Sequence, residues 1–393
     1  NYADGIVEYD FFYEPWTYHF LASSFEPDGY DCVRDTFLGA YRTESDPAAV
    51  EQGQCSDSTE LGGNHCGALH KRLHLAPGEE ARLVFILGVG SRQDAGRAAK
   101  ARYSQLSHVD AAKAELKKFW DDKCARLQVD TPSQGMNSML NTWTLLQAET
   151  CVVWSRFASF VEVGGRTGLG YRDTAQDVMS VAHTNPDKTR QRIVELLHGH
   201  TSKGYGLHLF DPAVFAPEEE KLPGVKLPTV KPTPSLNEIV HGLEDVCADD
   251  ALWLVASTCD WVMETGETDF FDEVIPYADG GQGTVYEHLT RVLDFADEYV
   301  GPHKICQGLR ADWNDCLNLG GGESSMVSFI HYWALQYFIE AADHLGRDDD
   351  VARYQAMAER VAAACEAELW DGDWYLRGFT KKGKKIGTAA DDE

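Results

Sequence analysis

The sequence predicts a multidomain β + α protein, in which a β-sandwich region is followed by a helical linker and an all-α domain. Short aromatic and β-branched runs alternate with turn residues up to about residue 95, an Ala-, Lys- and Glu-rich stretch follows, and amphipathic segments of helical period fill the remainder. The chain of 393 residues is long enough to build more than one hydrophobic core, as this division requires.

Residues 1–95 are predicted to form part of an N-terminal β-sandwich. Runs such as Trp16–Phe20 and Arg82–Val89 are rich in aromatic and β-branched residues, and clusters of Gly, Pro, Asp and Ser separate the runs. These are the composition signals of short strands joined by turns.

Residues 96–131 are predicted to form a helical linker. The stretch is rich in residues that favour helices, and apolar side chains recur at helical spacing through Val109, Leu116, Phe119 and Trp120.

Residues 132–393 are predicted to form an all-α domain. The amphipathic segments follow one another without an intervening strand pattern, at 133–158, 173–184, 186–199, 247–264, 283–299, 324–345 and 349–368. Local signals mark several helix starts: Asp249 with Asp250, and Ser324, can accept hydrogen bonds from unpaired backbone N–H groups, and Pro186 suits the first helical position.

Composition disfavours several classes of partner. The chain carries 63 Asp and Glu against 35 Lys and Arg, a formal charge of −28, which would repel a nucleic acid. The longest apolar run, Leu83–Gly90, is far shorter than a membrane span, and the N-terminal residues show no signal-peptide pattern. The sequence therefore predicts neither a nucleic-acid partner nor a membrane partner.

The cysteines and histidines suggest no metal site. The ten cysteines are scattered without a Cys-x-x-Cys motif, which favours reduced thiols and a cytoplasmic location, although Cys55 and Cys66 are close enough in sequence for a disulfide to be an alternative. His198, His200 and His208 share one loop, but their spacing matches no standard zinc motif.

Two long connections carry the polar residues most suited to function. Gly199–Asp245 and Gly301–Glu323 are rich in Gly and Pro and contain aromatic, His and acidic residues, and long loops on a rigid scaffold often bind ligands. Within the first, the proline-rich Lys221–Ser235 is interpreted either as a stiff flap or as a plain surface excursion.

A glycine-dense loop at 163–177 brings Arg166, Arg172 and Asp173 towards the start of a helix. Its glycines allow close backbone approach, and Arg with Asp can bind hydroxyls or anions. It lacks the Gly-Lys-Ser/Thr of a phosphate-binding loop and the spacing of a dinucleotide motif. A capped turn with an Arg–Asp surface pair is the alternative.

A second loop contains Asp312, Trp313, Asn314 and Asp315 in succession. The run lacks the further ligands of a calcium loop, whereas a Trp face can stack on a pyranose, Asn with one Asp can hold hydroxyls, and the other Asp can protonate a glycosidic oxygen. A turn stabilised by its own side chains is the alternative. Arg156, at the inner end of an apolar helix, is either a buried ion-pair partner or an anion ligand, and the pattern favours the ion pair.

Longer strings in these regions resemble the inverting disaccharide phosphorylases of glycoside hydrolase family 94. The resemblance rests on Gly-Tyr-Arg-Asp-Thr-Ala-Gln-Asp at 170–177, Asp-Asp-Ala-Leu-Trp-Leu at 249–254 and Arg-Ala-Asp-Trp-Asn-Asp-Cys-Leu-Asn at 310–318, and extends to 20–24 and 34–39. The residues at 164–170 and 319–328 look most similar to the diacetylchitobiose phosphorylase branch of the family.

The resemblance implies a β-sandwich, a helical linker and an (α/α)6 barrel. Such a barrel has twelve helices, whereas about seven are predicted here, so the chain is expected to be an internal portion that starts within the sandwich and stops at Glu393 inside an incomplete barrel. A homodimer is also implied.

The resemblance implies the following site roles. Asp315 would be the general acid, Trp313 would line the donor-sugar subsite, and Arg172 with Asp173 would hold the hydroxyls of that sugar. Arg166 would face the C2 substituent of the donor, and Arg156 would bind phosphate. Because phosphate is itself a nucleophile, it needs positioning and not a second carboxylate base, and no organic cofactor or metal is implied.

The implied reaction is phosphorolysis of N,N′-diacetylchitobiose to N-acetyl-α-glucosamine 1-phosphate and N-acetylglucosamine. Three alternatives stay open: a cellobiose phosphorylase, an inverting hydrolase, and a non-catalytic sugar-binding portion. A hydrolase would need a carboxylate base roughly 6.5–9.5 Å from the acid.

Overall fold

A computed structural model describes residues 2–10, 18–60, 63–90, 94–153, 169–212, 242–314, 316–317, 319 and 321–389. The chain divides into two compact units, Asn1–Asp121 and Asp122–Glu393.

The N-terminal unit is built on an antiparallel sheet of four strands in the order β1-β2-β3-β6. In this sheet Ile6 pairs with Ala22, and Ala22 with Ile86, so these three side chains share the buried face, where they pack against the helix Ala95–Tyr103. A second ladder pairs β4 with β5. The elements of this unit are β1 Tyr2–Ala3, β2 Ile6–Asp10, β3 Tyr18–Ser23, β4 Gly29–Val33, α1 Arg34–Leu38, α2 Ala48–Gln52, β5 His65–His70, β6 Phe85–Gly90, α3 Ala95–Tyr103 and α4 Leu106–Cys124, which ends just beyond the unit.

One feature of this unit differs from the sequence-based expectation: the predicted all-β region contains the short helices α1 and α2. Two helices, α3 and α4, lie in the predicted helical linker, and they are separated at Ser104, where the backbone N–H and the hydroxyl of Ser104 both bond to the Lys100 carbonyl. A hydroxyl that bonds locally to the backbone competes with helix continuation.

The C-terminal unit is mainly helical and packs around a large core that includes Tyr171, Ile193, Leu254, Leu289 and Phe338, with a smaller hydrophobic cluster beside it. Helix α9 contacts α7, α8, α10 and α11, and α11 packs along α12. The helices are α5 Gln134–Ser138, α6 Thr144–Val153, α7 Tyr171–Met179, α8 Pro186–His198, α9 Asp250–Thr265, α10 Val285–Glu298, α11 Ser325–His344 and α12 Asp348–Glu368; a π-helical turn, Met139–Trp143, joins α5 to α6, and 3-10 turns lie at Leu243–Asp245 and Thr268–Asp272.

The prediction that no strands lie between the helices is wrong. Short antiparallel pairs join β7 Leu169–Gly170 to β8 Leu209–Phe210, β9 Val274–Pro276 to β10 Gln282–Thr284, and β12 Gly378–Phe379 to both β11 Glu323–Ser324 and β13 Lys385–Ile386. Strands of two or three residues are too short to produce a readable alternation of apolar and polar side chains.

Local signals at helix starts are confirmed at two positions and wrong at a third. The Ser324 hydroxyl accepts from the Val327 N–H at 3.2 Å, and Pro186 occupies the first turn of α8. Asp249, at the N-cap of α9, makes no side-chain capping bond, because its carboxylate binds the Arg172 guanidinium and the Trp253 indole N–H instead.

The ten cysteines are free thiols, so the Cys55–Cys66 disulfide alternative is wrong. Among the described residues, no helix has both the length and the apolar character required to span a bilayer. The segment Lys221–Ser235 lies outside the described residues.

Candidate active site

Arg172 lies in the first turn of α7, directly after the short strand β7, and is only 5% exposed. Its Nη1 atom donates to Oδ1 of Asp249 at 3.3 Å and to the backbone carbonyl of Asp312 at 2.8 Å. The Asp249 side chain is fully buried and its other oxygen accepts from the Trp253 indole N–H at 3.1 Å. Arg172 thus connects the start of α9 to the loop that contains Trp313.

Asp312 is buried, and both oxygens of its carboxylate accept hydrogen bonds from other residues. Arg377 donates from Nη2 to both of its carboxylate oxygens, at 2.7 and 2.5 Å, and the Ser324 hydroxyl donates to Oδ2 at 2.6 Å. The Asn314 backbone N–H donates to Oδ1 at 3.0 Å. Both oxygens of the Asp312 carboxylate therefore have protein partners, which leaves them little capacity to accept from a sugar hydroxyl.

We name the four residues Arg172, Asp249, Asp312 and Arg377 the buried charge network. Two guanidinium groups and two carboxylates alternate through it. Burying a charge is costly unless an opposite charge and hydrogen bonds compensate it, and here each carboxylate has a guanidinium partner. The network therefore has a well-defined geometry, which a site that must orient a substrate requires.

The backbone just before Asp312 is held on both edges. On one edge Arg310 N–H donates to the Val246 carbonyl at 3.0 Å, and on the other Gly308 N–H donates to the Gly322 carbonyl at 2.8 Å. Leu309, between them, has a φ of 46°, an uncommon conformation for a residue with a side chain. Such strain persists only where surrounding contacts impose it, and it often occurs at functional sites.

A second buried group adjoins the network at Asp250. His208 Nδ1 and Asp250 Oδ2 are 3.0 Å apart, and the ligand atoms of His208, Cys247 and Asp250 all lie within 4.8 Å of one another. These three residues could in principle hold a metal ion. The three residues also form a stable arrangement without a metal, as a His208–Asp250 ion pair beside a neutral thiol. Asp250 raises the pKa of His208 to about 11, and burial raises the pKa of the Cys247 thiol and keeps it neutral.

Replacing His208 with glutamine is expected to destabilise the protein most near neutral pH and less in alkali. The pKa of His208 is about 11 in the fold, against about 6.5 for an unfolded histidine. Stability from a raised pKa is complete below the unfolded value and is lost as pH rises through the folded value. Urea unfolding should show the difference in unfolding free energy between wild type and variant narrowing by about 2–3 kcal/mol from pH 7 to pH 9.

The exposed His74 provides the matched control for this measurement, as His74→Gln should leave stability close to that of wild type at every pH. A gap for His208→Gln that stays constant across this pH range would show that His208 is not protonated in the fold.

The predicted site residues fall into two groups. Arg172, Asp173 and Trp313 are described: Arg172 is buried in the network, Asp173 is half-buried beside it on α7, and Trp313 directly follows Asp312 with 47% of its surface exposed. Their sugar-binding roles stay predictions. Arg156, Arg166 and Asp315 lie outside the described residues.

Sequence reasoning missed Arg377 and the pairing role of Asp249. Arg377 lies 65 residues from Asp312, in a stretch without a recognisable motif, and Asp249 lies 77 residues from Arg172. The sequence offers one signal for Asp249: it lies beside a second acidic residue at the start of an apolar helix. The same signal is expected of a helix N-cap, so it does not single out an ion pair.

Comparison with known proteins bears on both units. Residues 119–393 match the model of the glycosyl hydrolase 94 superfamily catalytic domain, and residues 7–106 match that of the glycosyl hydrolase 94 supersandwich domain. The chain is similar over its whole length to the N,N′-diacetylchitobiose phosphorylases of Vibrio proteolyticus, at 58% identity, and Vibrio furnissii, at 56%. It is 28% identical, over 96% of its length, to the solabiose phosphorylase of Paenibacillus borealis, of which it covers 45%.

The chain spans about half the length of the curated relatives it matches, 49% and 50% for the two Vibrio proteins. The family-level resemblance predicted from the strings at 170–177, 249–254 and 310–318 is confirmed. The supersandwich and catalytic-domain matches together cover most of the sequence. The chain therefore belongs to the glycosyl hydrolase 94 superfamily.

Proposed function

We propose that this chain is part of an inverting phosphorylase that converts N,N′-diacetylchitobiose and phosphate into N-acetyl-α-glucosamine 1-phosphate and N-acetylglucosamine. One observation carries the proposal: identity is 58% and 56% to two diacetylchitobiose phosphorylases over the whole chain, against 28% to a phosphorylase of another disaccharide. The substrates are accordingly the disaccharide and inorganic phosphate.

The proposed reaction assigns one role to each predicted residue. Phosphate, held by Arg156, attacks C1 of the donor sugar, and Asp315 protonates the departing glycosidic oxygen. Trp313 lines the donor subsite; its exposed ring, next to the buried Asp312, supports this role because an aromatic face can pack against a pyranose. Arg172 and Asp173 hold donor hydroxyls, and Arg166 faces the acetamido group at C2.

The buried charge network gives this scheme physical support. Arg172 bonds to Asp249 and to the Asp312 carbonyl, so the start of α7 and the loop containing Trp313 are held together by one side chain. Because phosphate is itself the nucleophile, the reaction needs no general base, and correct positioning of the reactants can supply much of the rate enhancement.

The reaction is tested by incubating the full-length protein with diacetylchitobiose, with and without phosphate, and following products by NMR. We expect phosphate-dependent formation of the α-anomer of the sugar 1-phosphate. Cellobiose added in excess should not compete; phosphorolysis of cellobiose at a similar rate would favour the cellobiose alternative. Equal release of N-acetylglucosamine without phosphate would identify a hydrolase, and sugar binding without turnover would identify a binding portion.

Replacing Arg156 with alanine is expected to raise the KM for phosphate by about ten- to a hundredfold, the effect of losing charge-assisted hydrogen bonds, with a much smaller change in the KM for the disaccharide. Initial rates with each substrate varied in turn measure both constants. Arg360→Ala, which removes an exposed arginine paired with Asp297, is the control and should change neither. Equal changes in both constants would instead indicate a structural arginine at position 156.

We also propose, from the family resemblance, that the helical unit is the first part of an (α/α)6 barrel and that the protein is a homodimer in the cytoplasm. The match of residues 119–393 to the catalytic-domain model supports the barrel. The scattered cysteine pattern supports a reducing compartment. Light scattering of the purified full-length protein tests the dimer.

A further inference from the structure

We propose that Asp312 and Arg377 form a positioning pair that fixes the loop carrying the general acid. This inference rests on the proposed function, since it assigns Asp315 the role of the acid. Its structural basis is independent: Arg377 binds both oxygens of the Asp312 carboxylate, and the Asp312 side chain is fully buried.

Asp312 organises the residues that immediately follow it in the chain. Its Oδ1 accepts from the Asn314 backbone N–H at 3.0 Å, and the Asn314 side chain in turn accepts from the Cys316 backbone N–H at 3.1 Å. Two successive side-chain-to-backbone turns of this kind specify the local chain direction. Asp312 precedes Asp315 by three residues in the sequence, and the two residues that these turns hold, Asn314 and Cys316, are its immediate neighbours in the chain.

Arg377 is itself anchored to a different part of the fold. Its carbonyl accepts from the Ser325 hydroxyl at 2.8 Å, and its N–H donates to the Ile386 carbonyl at 2.9 Å. At the next residue, Gly378, φ is 153° and a Cβ atom would lie 2.1 Å from the Glu323 carbonyl oxygen. Only glycine allows this close approach, so the strand containing Gly378 fixes the base of the Arg377 side chain against β11.

The backbone carbonyl of Asp312 has a partner of its own, separate from those of the carboxylate. Its carbonyl accepts from Arg172 at 2.8 Å, while its carboxylate binds Arg377 and accepts from the Ser324 hydroxyl. Asp312 is therefore held from both sides between the start of α7 and the N-cap of α11.

The pair is better explained by positioning than by stability. Replacing both members of a buried ion pair with apolar residues of similar volume costs little net stability, because desolvation offsets the attraction, whereas removing one partner alone destabilises the fold. A general acid, in contrast, must lie within hydrogen-bond reach of the leaving oxygen, and misplacement by about 1 Å can cost a hundredfold in rate. The two terminal nitrogens of Arg377 have different partners: Nη2 binds the Asp312 carboxylate and Nη1 donates to the Ser324 hydroxyl at 3.2 Å, so the planar guanidinium fixes orientation as well as distance.

The test compares two donors in the full-length protein. Cleavage of diacetylchitobiose breaks the C1–O bond, forms a C1–O bond to phosphate and moves a proton from the acid to the leaving oxygen. With 2,4-dinitrophenyl N-acetyl-β-glucosaminide the aryl oxygen leaves as an anion and needs no proton, so a displaced acid should matter only for the disaccharide.

For Arg377→Met we expect kcat on the disaccharide to fall by about ten- to a hundredfold, with the disaccharide KM and the rate on the dinitrophenyl donor close to wild type. Arg377→Lys should recover part of the loss, because one ammonium supplies the charge for Asp312 but lacks the second planar nitrogen that binds the Ser324 hydroxyl. Arg360→Met is the control and should match wild type on both donors. Equal losses on the two donors, for both Arg377 variants, would overturn the proposal.

Hydrogen exchange provides a readout that needs no turnover. Peptides covering residues 309–317 should exchange faster in Arg377→Met and in Arg377→Lys than in wild type, while peptides from α9 stay unchanged. Unchanged exchange in 309–317 would overturn the positioning role whatever the activity. If the wild-type protein forms no sugar 1-phosphate, the proposed function fails, and the exchange comparison still decides whether Arg377 fixes this loop.

Discussion

Replacing Asp315 with asparagine is expected to lower the rate of phosphorolysis of diacetylchitobiose by about 10³- to 10⁴-fold, the upper part of the range for removal of a general acid. Asparagine is similar in size to aspartate but has no proton of suitable acidity, so the glycosidic oxygen would have to leave as an alkoxide. The disaccharide should still bind, because the change leaves Trp313 and the other residues proposed to contact the sugar unaltered. Initial rates and isothermal titration with the disaccharide measure the two effects separately.

Two comparisons make this result specific. The rate on the dinitrophenyl donor should fall far less, since its leaving group needs no proton. Asp348→Asn changes an exposed aspartate in the first turn of α12 and should leave both rates unchanged. If Asp315→Asn keeps more than about a tenth of the wild-type rate on the disaccharide, another residue supplies the proton.

Asp315 and Arg377 are expected to give related kinetic patterns for different reasons. Asp315→Asn removes the proposed proton donor, so the loss of rate on the disaccharide should be large. Adding Arg377→Lys to that variant should not restore the rate. Loss of Arg377 leaves the donor present on a loop that is less well fixed, so the defect should be smaller and partly recovered by Arg377→Lys. A larger loss of rate for Asp315→Asn than for Arg377→Met would distinguish loss of the proton donor from loss of its positioning.

The parts of the fold that depend on neighbouring residues were predictable from the sequence. Ser324 caps α11 and Pro186 begins α8 because each acts within one helical turn of its own position. The helix at 250–265 follows from apolar residues at helical spacing. The short strands β7 to β13 were not predictable, since two or three residues carry no period.

The buried charge network was not predictable because its pairs are far apart in sequence. Asp249 is of a residue type that suits an N-cap, but Arg172, 77 residues away, takes its carboxylate instead. The pattern around Trp313 and Asn314 predicted that one Asp of the loop holds sugar hydroxyls, but it carries no sign that Arg377 and Ser324 bind both oxygens of Asp312. The local sequence pattern indicates which segments contain functional residues, whereas the role of each residue in a segment depends on its tertiary partners.

Replacing Arg172 with leucine is expected to destabilise the protein by about 3–5 kcal/mol, the cost of removing one partner from a buried ion pair. Burial, then repulsion from Asp250, raises the pKa of Asp249, and Arg172 opposes both effects. Without Arg172 the charged form of Asp249 is disfavoured further. Because a raised carboxyl pKa makes the folded state lose stability as pH rises, the deficit should be larger near pH 8 than near pH 5 in urea unfolding.

The partner variant decides whether the uncompensated carboxylate is the cause. Adding Asp249→Asn to Arg172→Leu removes that charge, so the double variant should recover part of the lost stability and lose its pH dependence. Arg360→Leu, which removes the exposed partner of Asp297, should cost only about 0–1 kcal/mol. If Asp249→Asn does not reduce the stability lost in Arg172→Leu, Arg172 stabilises the fold through its bond to the Asp312 carbonyl and through packing. Compensation of the Asp249 charge would then not be its role.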